Sequence, residues 1–138
     1  MNMVHCQCDG IEGCFDTQCV ANERARFRKR GMATSTRLLV EALRTQGIEG
    51  LMLLDVGGGV GAVIYALLQS RASVATDVDA SAAYLATARD EAERQGLAER
   101  IAFHHGDFVV LAPTLPTADI VTLDRVICCY VTTICRRS

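Results

Sequence analysis

The residue types best spaced for chemistry lie in one short stretch, Asp55-Val56-Gly57-Gly58-Gly59-Val60-Gly61. Closely set glycines let a backbone approach a nucleotide-like ligand where side chains would collide, and they accept the positive-φ turn such a loop needs. Two readings compete. Gly57-x-Gly59-x-x-Ala62 satisfies the loose dinucleotide fingerprint, in which a pyrophosphate rests on helix N–H groups. The same stretch also reads Asp55-x-Gly57-x-Gly59-x-Gly61, with a carboxylate two residues ahead of the first glycine. Further carboxylates follow at Asp77, Asp79, Asp107 and Asp124.

Other reactive types are less organised. His104 and His105 precede Gly106-Asp107, and alternation on a strand would point one of them inward as a candidate general base. Four of the seven cysteines, Cys6, Cys8, Cys14 and Cys19, crowd the first 20 residues. Thiolates are good zinc ligands, but this spacing lacks the usual pairs two to four residues apart, and ordinary thiols are expected instead of a metal site. Cys128 and Cys129 lie in an apolar stretch and read as packing residues. The basic run Arg24, Arg26, Arg28, Lys29, Arg30 reads as a solvated helix face.

The elements that must position these groups alternate regularly. A helix is expected over residues 17–30, closed by Gly31, and a second from an N-cap at Thr34 or Ser35 to Gly47. Residues 50–56 form a continuous apolar run that suits a parallel strand buried on both faces. After the glycine loop, Val60, Val63, Ile64, Leu67 and Leu68 make one stripe of an amphipathic helix. Strands are expected over 73–78, 101–104 and 118–123. A helix over 81–95 would carry Arg89–Glu93 and Asp90–Arg94 pairs on its wet face and end at Gly96. Strands alternating with helices imply an α/β fold, a doubly wound parallel sheet.

In 138 residues, half of them apolar, there is room for one core, and no apolar run is long enough to span a bilayer. The net charge of −2 supplies no general attraction for nucleic acid. The chain is expected to be cytoplasmic, with no membrane and no nucleic-acid partner.

The second reading of the glycine loop resembles motif I of the class I S-adenosylmethionine-dependent methyltransferases, and the resemblance runs through residues 50–124. It implies a Rossmann-like sheet binding S-adenosyl-L-methionine, with Asp55, Gly57, Gly59 and Gly61 in the cofactor loop. In that family an acidic residue at the end of the second strand holds the ribose hydroxyls; Asp79 is the better match, with Asp77 its neighbour. Gly106-Asp107-Phe108 is similar to the family's adenine-contacting pair, with Asp107 toward the amino group and Phe108 beside the ring. Asp119 to Asp124 corresponds to the fourth-strand motif, placing Asp124 in the site. The resemblance also implies an N-terminal helix over the cofactor, from which Arg28, Lys29 or Arg30 could meet the methionine carboxylate.

Electrostatics favours the same choice. S-adenosylmethionine carries a sulfonium and an ammonium, which carboxylates at strand ends complement, whereas a pyrophosphate wants basic groups and helix N–H donors. The expected activity is methyl transfer to a small-molecule acceptor; the alternatives are a nicotinamide-dependent oxidoreductase or a non-catalytic fragment. Residues 1–47 are expected to form a Cys-rich segment with cap helices, and 48–138 the cofactor-binding domain. Only four of the family's seven strands are found, so a C-terminally incomplete member is expected.

Overall fold

The computed structural model describes residues 17–124. Two helices, α1 (Thr17–Arg30) and α2 (Thr34–Gln46), precede an alternating series: β1 (Met52–Val56), α3 (Ala62–Gln69), β2 (Val74–Asp79), α4 (Ala82–Arg94), β3 (Ile101–His105), α5 (Phe108–Leu111) and β4 (Ile120–Thr122). All four strands are parallel, in the order β3-β2-β1-β4, with β1 and β2 central. The chain is therefore an α/β protein with a Rossmann-like parallel sheet, as its alternation of periods implies.

Alternation along the strands sorts the side chains onto two faces. On the first, Leu53, Ala75 and Ile101 pack with Val63, Ile64, Leu67 and Leu68 of α3 and with Val40 of α2. On the second, Leu54, Val56 and Val78 meet Phe108, Leu111, Leu115 and Ala118. Cover on this second face is partial, and Met52, Val74 and Val121 remain exposed. Eight-residue α3 is buried almost throughout, with Gln69 its one exposed position.

Element boundaries shift by a residue or two from expectation, for identifiable reasons. Gly50 turns the chain at φ 75°, so β1 begins only at Met52. β4 is shorter than the expected 118–123: Asp119 spends its carboxylate on the Met52 amide (2.8 Å) instead of continuing the strand. The residues around Asp107 fold into a short helix that periodicity did not announce, because four residues are too few to show a period.

The N-cap expected at Thr34 or Ser35 falls on Ala33, which offers no side-chain acceptor. Neither helical pair expected on α4 is the interaction observed. Asp90 faces Arg24 of α1, Arg94 pairs with Glu91, and Arg89 lies over the Phe103 ring, 5.3 Å from its centroid. The reasons differ: Arg24 of α1, which lies along α4, takes Asp90, while Arg94 turns to Glu91 three positions back on its own helix and Arg89 turns to β3.

Glu91 is the main joint between those helices. Its side chain is fully buried, accepting from Arg28 Nε (2.9 Å), Gln95 Nε2 (3.1 Å) and the guanidinium of Arg94. Arg94 foremost, with Gln95 and Arg28, draws its pKa down to about 2. Among the described residues no helix is long and apolar enough to cross a membrane.

Candidate functional site

The carboxyl ends of the strands carry the candidate site, as expected of an open parallel sheet. β1 runs into the glycine loop, and three of its glycines adopt φ values closed to most residues: Gly57 at 69°, Gly59 at 60° and Gly61 at 96°. Gly58 is required for a different reason. A Cβ there would lie 2.7 Å from Asp55 Oδ2 and 2.9 Å from Asp77 Oδ1. The loop is thus folded tightly over two acidic side chains.

Those side chains stand opposite each other in register, Asp55 on β1 and Asp77 on β2. Each is 1% exposed. Asp55 Oδ1 accepts from the Thr122 hydroxyl (2.7 Å), and Asp77 accepts from the Gly58 amide. Asp55 Oδ2 and Asp77 Oδ1 have no hydrogen-bond partner. Burial raises the pKa of Asp55 to about 7, partly opposed by the Thr122 bond and aided by Asp124 and Asp79. Burial likewise holds Asp77 well above its ordinary value, with Asp55 and Asp79 adding to the effect.

Asp79 ends β2 on the same face as Asp77. Its Oδ1 accepts from the Ser81 amide (2.9 Å) and its Oδ2 from Gly59 N (3.3 Å), so it braces both the start of α4 and the glycine loop. Ser81 itself caps α4, accepting from Tyr84 N (3.2 Å). Tyr84 lies against Gly59, and burial, with Glu23 and Asp79 nearby, lifts its phenol to about 12.

Asp107 caps α5 through Val109 N (2.9 Å), while Phe108 packs against the cluster of Leu54, Val56 and Val78 on the second face. Asp124 accepts from the Thr36 hydroxyl of α2 (2.6 Å), closing the site's flank between the N-terminal helices and the end of β4. Asp55, the glycines, Asp79 and Asp124 are therefore brought together at one sheet edge, with Asp107 and Phe108 following β3 at that same edge.

Residues the sequence reading did not assign to the site are Gly58, Thr122, Thr36 and, except as a neighbour, Asp77. Gly58 was visible as one more glycine in the run. The two threonines carried no signal, since their partners are 67 and 88 positions away.

Arg71, Arg100 and Arg28 are engaged elsewhere. Arg71 pairs with Glu49, and Arg100 donates to the carbonyls of Leu68, Ala72 and Ser73, at the amino edge of the sheet. Arg28, a candidate for a carboxylate ligand, is instead bound to Glu91. His105 lies on the same face as Asp79 and its Nε2 sits 3.0 Å from the Ala80 carbonyl, while His104 is directed to the opposite face. Cys19 lies exposed on α1; Cys6, Cys8, Cys14, Cys128 and Cys129 fall outside the described residues. Among the described residues no three His, Cys, Asp or Glu side chains are grouped to hold a metal ion.

A parallel α/β sheet with a glycine loop and acidic strand ends fits the class of the class I S-adenosylmethionine-dependent methyltransferases. Residues 3–137 match the O-methyltransferase domain family, and the chain belongs to that family. Its backbone is similar to that of a protein from Methanococcus maripaludis described as an S-adenosyl-L-methionine-dependent methyltransferase. That match has a TM-score of 0.70 and 21% identity, over 86% of this chain and 54% of the other. It is also similar to a SAM-dependent methyltransferase from Thiobacillus denitrificans in complex with S-adenosyl-L-homocysteine (TM-score 0.54, 26% identity, 67% of this chain and 36% of the other). In sequence, 71 residues are 39% identical to the ribosomal protein L11 methyltransferase of Pseudomonas putida, over 50% of this chain. That stretch spans only 24% of the curated relative. The cofactor of the family is S-adenosylmethionine, and the dinucleotide reading of the loop is set aside.

Proposed function

We propose that this chain is the cofactor-binding unit of an S-adenosylmethionine-dependent O-methyltransferase whose acceptor is a small molecule. The observation that carries the reading is the convergence of Asp55, Asp77 and Asp79 beneath a glycine loop, with the arginines of this region engaged elsewhere. A cationic ligand is favoured there and a pyrophosphate disfavoured. The residues present fit the cofactor. Two buried acceptors lack partners under the loop, and a Cβ at Gly58 would displace them.

When bound, S-adenosylmethionine supplies an already electrophilic methyl group, so the protein's work is alignment and exclusion of water. Gly57, Gly59 and Gly61 would form the backbone cradle, and Asp55 would set the negative potential below it. Asp79 would hold the ribose hydroxyls while continuing to brace Gly59, Asp107 would reach the adenine amino group, and Phe108 would lie beside the ring. Asp124 would border the cradle on the α2 side. A proton leaving the acceptor oxygen needs a base within hydrogen-bond reach. His105 is a candidate on the acidic face, set beside Asp79 by the β2–β3 register.

Titration calorimetry with S-adenosylhomocysteine tests the cofactor half, and stoichiometric binding is expected. Transfer of labelled methyl groups to a panel of small phenols and hydroxy acids tests the acceptor half. The 39% identity to a ribosomal protein methyltransferase favours one competing reading, a macromolecular acceptor. Label appearing in ribosomal proteins and in none of the small molecules would establish it and overturn ours.

A further inference from the structure

Asp55 and Asp77 present an arrangement that their assignment to a cofactor pocket does not explain. They sit side by side on the two central strands, each 1% exposed, each with one oxygen satisfied and one orphaned. Both orphaned oxygens approach the same point beside Gly58, at 2.7 and 2.9 Å. A buried acceptor left without a donor is costly, and two facing carboxylates in a dry site repel each other strongly. One proton removes both penalties. It neutralises half the charge and converts one orphaned acceptor into a donor beside the other.

We infer that Asp55 and Asp77 form a one-proton carboxyl pair beneath the glycine loop, and that occupation of the loop by a cationic ligand expels the shared proton to solvent. The second half rests on the cofactor reading above; the first stands without it.

The groups surrounding the pair act in the same sense. Asp79 on β2 and Asp124 beyond β4 add negative charge. Across the register Asp55 meets Thr122 and Asp77 meets Phe103, neither of which carries charge. Tyr65 of α3 senses Asp77, and behind it stand Glu91 and Arg94 of α4, already paired with each other. Arg94 acts on Tyr65, and Glu91 already compensates its charge. A ligand that brings an ammonium and a sulfonium changes that balance, and one lacking the sulfonium changes it less. The pair would therefore bind S-adenosylmethionine with release of a proton and S-adenosylhomocysteine with release of a smaller fraction.

Two measurements separate the halves. In the unliganded protein near pH 6, infrared difference spectra should show a protonated-carboxyl stretch that is lost in the Asp55→Asn/Asp77→Asn double variant. Should that variant not fold, carbon-13 shifts of the wild-type aspartates supply the same information, with Asp55 and Asp77 titrating together and holding one proton between them. Two ionised side chains at pH 6 would overturn the pair. Calorimetry of cofactor binding at pH 6.5 in buffers of different ionisation enthalpy should report up to about one proton released with S-adenosylmethionine. Its affinity should rise with pH, approaching about tenfold per unit, and level off once the pair is ionised. Binding whose enthalpy is independent of buffer would overturn the linkage. Failure of either ligand to bind would instead sink the cofactor assignment, while a carboxyl band would still establish the shared proton.

Discussion

Asp55 and Asp77 face each other across the β1–β2 ladder with one buried, unpartnered oxygen apiece. The pair makes the unliganded fold sensitive to pH in a definite direction. Unfolded, Asp55 ionises near 3.8; folded, near 7. Between those values the folded state keeps a proton that the unfolded state has lost, so stability falls as pH rises. Asp77, shifted the same way, shares that proton, so the two acids titrate as one unit. Thermal unfolding of the apo protein should therefore show Tm declining from about pH 4 to above pH 7, and Asp55→Asn should flatten that slope. A Tm that climbs through the same interval would contradict the assignment.

Gly58 should tolerate substitution worse than the loop's turn-forming glycines suggest. Its missing Cβ is the space in which two carboxylate oxygens sit, and neither can retreat easily: Asp55 is tied to Thr122, Asp77 to the Gly58 amide itself. Gly58→Ala should cost about 1–3 kcal/mol from overpacking. For a domain of this size that is a Tm loss of roughly 4–15 °C, together with weakened cofactor binding. A variant that melts with the wild type and binds normally would show the loop to be looser than described.

How much of this was visible in the sequence depends on the range of each interaction. β1, the glycine loop and α3 are spelled out by one continuous stretch, an apolar run, four glycines in five residues and a 3.6-residue stripe, so they and Asp55 were legible. The pairing of Asp55 with Asp77 was not. Asp77 and Asp79 lie on one face of β2, and only the register shows that Asp77 is the one opposite Asp55. The pairs drawn on α4 from i,i+4 spacing failed for a related reason. Spacing knows nothing of neighbouring elements: Arg24 arrives from α1 to take Asp90, Phe103 of β3 receives Arg89, and Arg94 turns to the buried Glu91 on its own helix. Thr122 and Thr36 are ordinary residues until the fold brings carboxylates to them.

Thr122 is accordingly the most informative polar substitution in the sheet. Thr122→Val keeps the shape but removes the donor to Asp55, leaving a second buried oxygen without a partner. A loss of about 1–3 kcal/mol is expected, with Thr122→Ser close to wild type. Because that hydrogen bond favours the ionised acid, its removal should also move the titration of Asp55 upward. Chemical denaturation at pH 6 and pH 8 reads both effects; equal stability of the Val and Ser variants would refute the role.

Glu91 gives the opposite pH dependence. Its folded pKa of about 2 lies below the ordinary 4.5, so its contribution is present above pH 4.5 and is lost as pH falls toward 2. Glu91→Gln should destabilise by about 1–3 kcal/mol at neutral pH, and the difference from wild type should shrink below pH 4. Arg28→Ala should loosen α1 with a smaller loss, since Arg94 and Gln95 still hold the carboxylate. Urea unfolding across pH 2.5–7 checks the sign, and a Gln variant that weakens equally at every pH would contradict it.

The Thr122–Asp55 bond also dictates an order of events during synthesis. The glycine loop and its acid leave the ribosome early, but the hydroxyl that satisfies Asp55 emerges 67 residues later, and the Thr36–Asp124 tie closes 88 residues after its first member. For that interval the nascent chain carries a pocket floor whose acid lacks its donor and a central strand open on one side. Completion of the cradle is therefore a long-range step, closed across far more sequence than the local β1–loop–α3 unit.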